Sequence, residues 1–591
     1  MEKLKLTGSG SRAFGPARLY WREGAPLRIS LAYRGAYGLG ERFDALNQKG
    51  RRAVCEVEEK FCFQGGKTYC PAPFFWTDSG FGLYADTCES TAFDFREGEI
   101  IAELPKNCVI TLFSGTPESM IAEYLSLFGS PVLPPDWAFG PWISANRWSS
   151  QADVENAVAE AERLGFPVSA LVIEAWSDEA TFYIWRGAKY TPKPDGAPLS
   201  LEDFDFSGSP WPDPAGMIRR LHEKGIRVLL WQAPVYKALG PDEPENEQHR
   251  LDCADAVRRG LCVHNADGSP YTIPEGHWFP GSMIPDFTNP ETRRVWLGKR
   301  RYLLEMGIDG FKTDGGEFIY SDDVRFSDGS TGREGKNRYA RDYAEAYASV
   351  LGPEQALFSR AGFAGQHRTP LLWAGDQQSV NSEFRSALTA GLSAACSGIA
   401  FWGFDIAGFA GPLPTPDLYR RATQLACFCP VMQWHSEPDG GQFRELMPGA
   451  EGNNERSPWN MERAYALPGF AEEMRFWHEL RVKLLPYLLK TARECAAENR
   501  PMLRPLVYYW PGDARAADCA DEFPHPAAYQ PHPAVRGHDR ERHHGDHPRG
   551  PAARGKRRAP PRLPPRGRVA RLLHRRDAHR PRRARLPLRG A

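Results

Sequence analysis

Residues 310–318 read GFKTDGGEF. A largely apolar stretch ends there in a lysine, an aspartate, two glycines and a glutamate. A buried strand does not ordinarily finish by stacking charges, so Lys312, Asp314 and Glu317 mark a strand end with a chemical use. Side chains alternate along a strand, so Lys312 and Asp314 lie on the same side. Seven further strand-like runs flank this one: FGPWIS (139–144), SALVIEA (169–175), RVLLWQA (227–233), ALFSRA (356–361), LLWAGD (371–376), AFWGFDI (400–406) and VMQWH (431–435). Helical patterns separate most of them. In ADVENAVAEAERLG, Val154, Ala157, Val158, Ala161 and Leu164 fall on one face. PAGMIRRLHEKG opens with Pro and closes with Gly, as helices often do. Eight strands mostly joined by helices predict an α/β fold, a (β/α)8 TIM barrel.

Around that barrel the chain divides further. At 591 residues it is too long for one core. Residues 1–130 carry short runs such as RISLAYRG, GFGLYADT and CVITLFSG, punctuated by Gly, Asp and Pro. They predict an N-terminal β-sandwich-like domain. Residues 131–500 read as the barrel, the expected catalytic unit, with a helical stretch at 468–500 closing its outside. Residues 501–523 read as the start of a C-terminal β domain. From 524 to 591 the composition breaks: 18 Arg and one Lys stand against four acids, without Trp, Phe, Ile, Met or Cys. The formal net charge of zero therefore hides a body at −15 and a tail at +15. Such a tail is expected to be disordered. The abruptness of the switch points to a GC-rich gene read out of frame after Phe523; a genuine basic arm is the alternative. No stretch of about 18 apolar residues suggests a membrane span. The start MEKLKLTGSGSRAF has no apolar core of a signal peptide. Twelve cysteines without paired spacing, the CFC at 427–429 in a helical pattern among them, read as free thiols in a reducing cytoplasm.

In such barrels active sites sit at the C-terminal ends of the strands. Those ends carry Glu174, Asp314, Arg360, Asp376, Asp405 and His435. Two carboxylates, cations, a His and many Trp, with no cofactor motif, fit glycoside hydrolysis. One carboxylate attacks the anomeric carbon and a second carboxylic acid protonates the leaving oxygen. Asp314 and Asp376 end strands four and six. Lys312 is expected to keep Asp314 ionised, and Arg360 to do the same or to hold a sugar hydroxyl. Trp142, Trp176, Trp231, Trp373 and Trp402, at strand ends, are the candidate sugar contacts.

These segments resemble glycoside hydrolase family 31, the retaining α-glucosidases and α-xylosidases, over roughly residues 37–520. GFKTDGGEF is similar to the family's nucleophile segment, which implies Asp314 as nucleophile. LLWAGDQQS is similar to its acid/base segment, which implies Asp376 as proton donor with Trp373 beside the sugar. FSRAG supplies Arg360, FWGFDIAGF supplies Asp405 and Trp402, and PVMQWHSE supplies His435, which in the family binds sugar hydroxyls. EGHWFPGSMIPDFTNP resembles the segment leading to strand four and implies a stacking wall at Trp278 or Phe279. Two positions depart from the family. Glu174 stands where Asp is usual, and Lys312 where many α-glucosidases have Trp but α-xylosidase-like members have Lys. The resemblance implies a retaining, exo-acting, α-glucosidase-like α-glycosidase working through a covalent glycosyl-enzyme, with no cofactor or metal. Its partner would be an oligosaccharide or other α-glycoside. The alternatives are α-xylosidase or α-galactoside-type specificity, or a catalytically impaired sugar-binding protein. The His-rich HDRERHHGDHP (538–548) lacks an apolar frame for a metal site. An acidic body argues against nucleic acid as a partner. The oligomeric state is left open.

Overall fold

The structure is a computed structural model that describes residues 1–436 and 454–519. The basic tail, with its expected disorder and its His-rich run, lies outside the described residues. Eleven antiparallel strands build the N-terminal domain as two sheets. A five-stranded sheet runs Glu2–Lys5, Val109–Ser114, Phe81–Asp86, Pro71–Thr77, Ala36–Gly40. A six-stranded sheet runs Ser9–Phe14, Ala17–Arg22, Leu27–Ser30, Glu99–Glu103, Thr91–Arg96, Arg52–Cys55. Leu19, Ile29, Phe93 and Phe95 of one sheet meet Phe75, Phe81, Leu83 and Ile110 of the other in a single core, the inward half of each strand's alternation.

The eight expected strands are all present and parallel, in sequence order round the barrel: Pro141–Ala145, Ala170–Ile173, Arg227–Gln232, Gly310–Thr313, Ala356–Ser359, Leu371–Trp373, Trp402–Gly403 and Met432–Ser436. They are called barrel strands one to eight below. Backbone bonds from Val431 to Trp402 and from Ile406 to Gln433 close the ring between strands seven and eight. Helix Gln151–Arg163 starts at Ser150, whose side chain accepts from the Asp153 N–H, and buries Val154, Val158 and Ala161. Helix Pro214–Glu223 begins on the Asp213 cap with Pro in its first turn. Strands five and six are the exception, joined by a short 3-10 turn, Gln366–Arg368, in place of a helix. Helix Phe470–Glu498 covers the outside. Cys427 and Cys429 lie just past the end of helix Pro416–Ala426 and are buried, and among the described residues no two cysteines are joined in a disulfide.

Residues 501–519 carry helical turns at Leu506–Tyr509 and Ala514–Ala517 in place of the expected strand. They pack back on the sandwich, where Tyr37 donates to the Ala517 carbonyl and Arg34 to that of Gly512. Among the described residues no helix is long and apolar enough to cross a membrane.

Candidate active site

Alternation inside the barrel sets the site. In strands two and five the interior column starts apolar and turns polar two residues further on, Val172 then Glu174 and Phe358 then Arg360, and in strand three Leu229 is followed by Trp231. Below, Trp142, Phe358 and Trp373 fill the barrel's throat, with the Phe358 and Trp373 rings 4.9 Å apart. Above, the polar ends open into a cavity of about 820 Å³. Glu174, Trp231, Trp278, Lys312, Asp314, Arg360 and Asp376 all line it.

Asp314 is held from three sides. Its Oδ1 accepts from the Gly315 N–H at 2.9 Å and faces Arg360 Nη1 at 3.1 Å. Its Oδ2 accepts from Trp231 Nε1 at 2.8 Å. A carboxylate oxygen has two lone pairs, so Oδ2, with Trp231 as its single donor, keeps one free. The same Arg360 Nη1 lies 3.6 Å from Asp376 Oδ2. The two carboxyl oxygens are therefore no further apart than these two contacts laid end to end. That is compatible with the roughly 5–5.5 Å separation of the carboxyl groups in retaining glycosidases.

The two carboxyls live in different environments. The Asp376 carboxyl receives no hydrogen bond from the described residues, and burial drives its pKa well above the usual carboxylate range; Arg360 opposes this and the neighbouring Asp314 adds to it. A group kept protonated beside a carboxylate held by donors is the division of labour that acid and nucleophile need. Arg360 is itself fixed by a two-pronged pair with Glu317, at 3.0 Å on both oxygens. Glu317, which opened the question, is thus the anchor of the bridging cation.

Lys312 makes its direct ion pair with Glu174. Its Nζ donates to Glu174 Oε1 at 2.5 Å and sits 4.5 Å from the Trp373 ring centre. The direct partners of Asp314 are Arg360, Trp231 and the Gly315 amide. Burial disfavours the Lys312 charge, but Glu174, Asp405 and Asp314 outweigh it and raise its pKa. Burial pushes Glu174 up to about 7 against the pull of Lys312.

Asp405, His435 and Trp373 lie behind the cavity floor, each nearly or fully buried. Asp405 Oδ1 accepts from Gln433 at 2.7 Å, and His435 Nδ1 pairs with Ser144 Oγ at 2.6 Å. Burial, with Lys312 and Arg456 nearby, holds the His435 pKa well below its usual value, so the ring is neutral. Asp405 Oδ2 and Trp373 Nε1 are buried with no hydrogen-bond partner, and His435 Nε2 has only the Glu174 carboxyl before it, at 3.5 Å. Unpaired buried polar atoms are costly unless something fills them, and sugar hydroxyls have the right chemistry.

Three of the expected tryptophan contacts are structural. Trp142 is in the throat and donates to the Ala138 carbonyl. Trp176 packs on Trp185 and donates to the Trp231 carbonyl. Trp402 points out of the barrel and donates to the sandwich's Glu41. Trp231, Trp278 and Phe279 form the aromatic wall, with Trp278 and Phe279 stacked at 4.6 Å. The sandwich also supplies Glu59 and Phe61 to the cavity; no sequence pattern marked them, because they arrive from a loop of another domain.

The chain matches the model of the glycosyl hydrolases family 31 TIM-barrel domain over residues 131–491. It matches the glycosyl hydrolase 31 N-terminal galactose mutarotase-like domain over residues 15–94. It is 38% identical over 486 residues to the 1,3-alpha-isomaltosidase of Kribbella flavida, covering 80% of this chain and 65% of that protein. It is 34% identical over 502 residues to the isomaltosyltransferase of Sporosarcina globispora, covering 82% of this chain and 45% of that one. Both relatives therefore extend beyond the span this chain covers. Among solved structures, the cycloalternan-degrading enzyme from Trueperella pyogenes in complex with a covalent intermediate aligns with a TM-score of 0.78 and 35% identity, covering 86% of this chain and 71% of that one.

Proposed function

Because the chain belongs to glycosyl hydrolase family 31, we propose that it cleaves α-glycosidic bonds with retention, releasing terminal glucosyl or isomaltosyl units from an α-linked oligosaccharide. The observation that carries this reading is one guanidinium, Arg360, touching both Asp314 and Asp376 at the mouth of a closed barrel. In the first step Asp314 Oδ2 bonds to the anomeric carbon. The bond to the leaving oxygen breaks with its electron pair, and that oxygen takes the Asp376 proton. In the second step Asp376 removes a proton from water, the water oxygen bonds to the anomeric carbon, and Asp314 departs as carboxylate. Lys312, Glu174, Asp405 and His435 form the closed end that receives the sugar's hydroxyls.

The isomaltosyl unit is favoured by two features. The two curated relatives named above carry isomaltosyl activities in their names. The cavity, about 820 Å³, stands near the upper end of the roughly 300–1,000 Å³ of small-ligand pockets, which suits two rings. The test is product analysis on nitrophenyl α-isomaltoside, α-glucoside and α-xyloside. Release of intact isomaltose at the highest kcat/KM supports the reading. Glucose as the sole first product restricts it to α-glucosidase action, and preference for the xyloside overturns the glucosyl assignment.

A further inference from the structure

The Asp376 carboxyl has no hydrogen-bond donor of its own, yet general acid catalysis needs it in place to within a fraction of an ångström. It follows barrel strand six in a segment without regular structure, residues 374–377. Its position is set through its backbone. Gln64, from the sandwich loop between strands Arg52–Cys55 and Pro71–Thr77, donates its side-chain amide to the Asp376 carbonyl at 2.8 Å. The same amide reaches the Tyr69 hydroxyl at 3.2 Å and the Lys60 carbonyl at 3.3 Å. Tyr69 lies directly under Gly375, where an added Cβ would meet its ring at 2.3 Å and the backbone φ is +70°. The Arg360 guanidinium lies over the same ring, 4.9 Å from its centre. Both members of the catalytic bridge thus rest on one pair of sandwich side chains, both buried.

The loop is held in an uncommon shape for this purpose. Cys62 and Phe63 are consecutive non-glycine residues at φ +52° and +48°, a region such residues seldom visit. Strained backbone persists only where its surroundings fix it, and it gathers at functional sites. Here the Phe63 N–H is tied at 2.7 Å to the Glu383 carboxylate, in the first turn of the helix after strand six. Cys62 packs against Phe409 and Ala410. The turn delivers Gln64 to Asp376 from one side while the helix that follows Asp376 grips the turn from the other.

We propose that Gln64, seated on Tyr69, is the positioning residue of the proton donor, so that the sandwich domain governs acid catalysis in the barrel. This deepens the acid/base assignment and rests on it. The experiment is Gln64→Leu assayed on a dinitrophenyl α-glycoside, which needs no protonation, and on a methyl or sugar α-glycoside, which does. A displaced acid should slow the second substrate about 10–100-fold and the first less than about threefold. In the Asp376→Ala background the same substitution should have no further effect, because the group it positions is gone. Gln64→Glu, which sets an acceptor against the Asp376 carbonyl, gives the same readout if the apolar variant does not fold. Equal losses on both substrates, or an undiminished loss in the Asp376→Ala background, would overturn the proposal. Asp376→Ala alone separates the two readings: if it is not leaving-group selective, the acid/base assignment falls; if it is and Gln64→Leu is not, only the positioning role falls.

Discussion

Lys312 and Glu174 show what a single pair of side chains can and cannot announce. Parity placed both in the barrel interior, and the strand ends placed both at the rim. Which carboxylate the lysine meets is a matter of reach across the barrel, and periodicity carries no information on it. The same limit explains the tryptophans. Trp142 has the inward parity but sits one layer too deep, whereas Trp402 has the outward parity and serves the sandwich interface. The buried pair also makes a sharp prediction. Lys312 and Glu174 keep only 4% and 11% of their side-chain surface exposed. Removing one partner of such a pair leaves an uncompensated buried charge, at a cost of about 3–5 kcal/mol. Lys312→Met should therefore lower stability by that order in denaturant unfolding. Lys312→Met/Glu174→Gln should recover more than half of the loss, and additive losses would show that the two are not a coupled pair.

At the scale of the element, the alternation of strand and helix was legible because each run carries its own period and caps. The polar anchors between elements were not. Arg481, on the outer helix Phe470–Glu498, is fully buried. It donates to the carbonyls of Phe139, Cys427, Cys429 and Pro430. Those carbonyls belong to the segments entering barrel strands one and eight, which pair with each other. Burial pulls the guanidinium pKa down to about 10, with Cys427 and Cys429 opposing, yet it stays charged at neutral pH. In sequence it is one more arginine on an amphipathic helix. Arg481→Met orphans four buried carbonyls, each worth roughly 1–3 kcal/mol when left unpaired. We expect a loss of at least about 3 kcal/mol, read as a lower denaturant midpoint with the slope unchanged. A loss below about 1 kcal/mol would mean that the helix closes the barrel by apolar contact alone.

For the whole molecule, the sandwich and barrel share one hydrophobic cluster. Tyr37, Phe74, Trp76 and Phe113 of the sandwich lie in it with Phe311, Leu372 and Trp402 of the barrel. Sandwich backbone is bonded directly to barrel helices: the Gly40 N–H to Ser397 Oγ, the Val57 N–H to Asn337. Gly40, at φ +80°, leaves no room for a Cβ, which would meet the Cys70 carbonyl at 2.1 Å. The strand runs and the strand–helix alternation distinguish a β zone from a βα zone, as the fold does, but they gave no sign that the β zone completes the barrel's site. Glu41 tests the coupling through pH. It is buried against Trp402, and burial pushes its pKa from 4.5 up to about 8, with the Trp402 hydrogen bond opposing. The folded state thus holds this proton more tightly than the unfolded chain does. Its contribution falls as pH rises from about 4.5 to 8, by up to about 1.4 kcal/mol per unit. Glu41→Gln keeps an acceptor for Trp402 and removes the titration. The variant should lose less thermal stability than the parent between pH 6 and 8, in one unfolding transition. Parallel pH curves would place the Glu41 proton elsewhere, and two separated transitions would uncouple the domains.

The central claim is that Asp314 forms the covalent bond to sugar. The most direct measurement is to trap the glycosyl-enzyme with a fluorinated α-glucosyl fluoride and map the labelled peptide by mass spectrometry. We predict a single sugar adduct on Asp314, in the peptide containing TDGGEF, lost when Asp314 is replaced by Ala. A label on Asp376 or on any other carboxylate, or turnover with no adduct and a β-configured first product, would contradict the account.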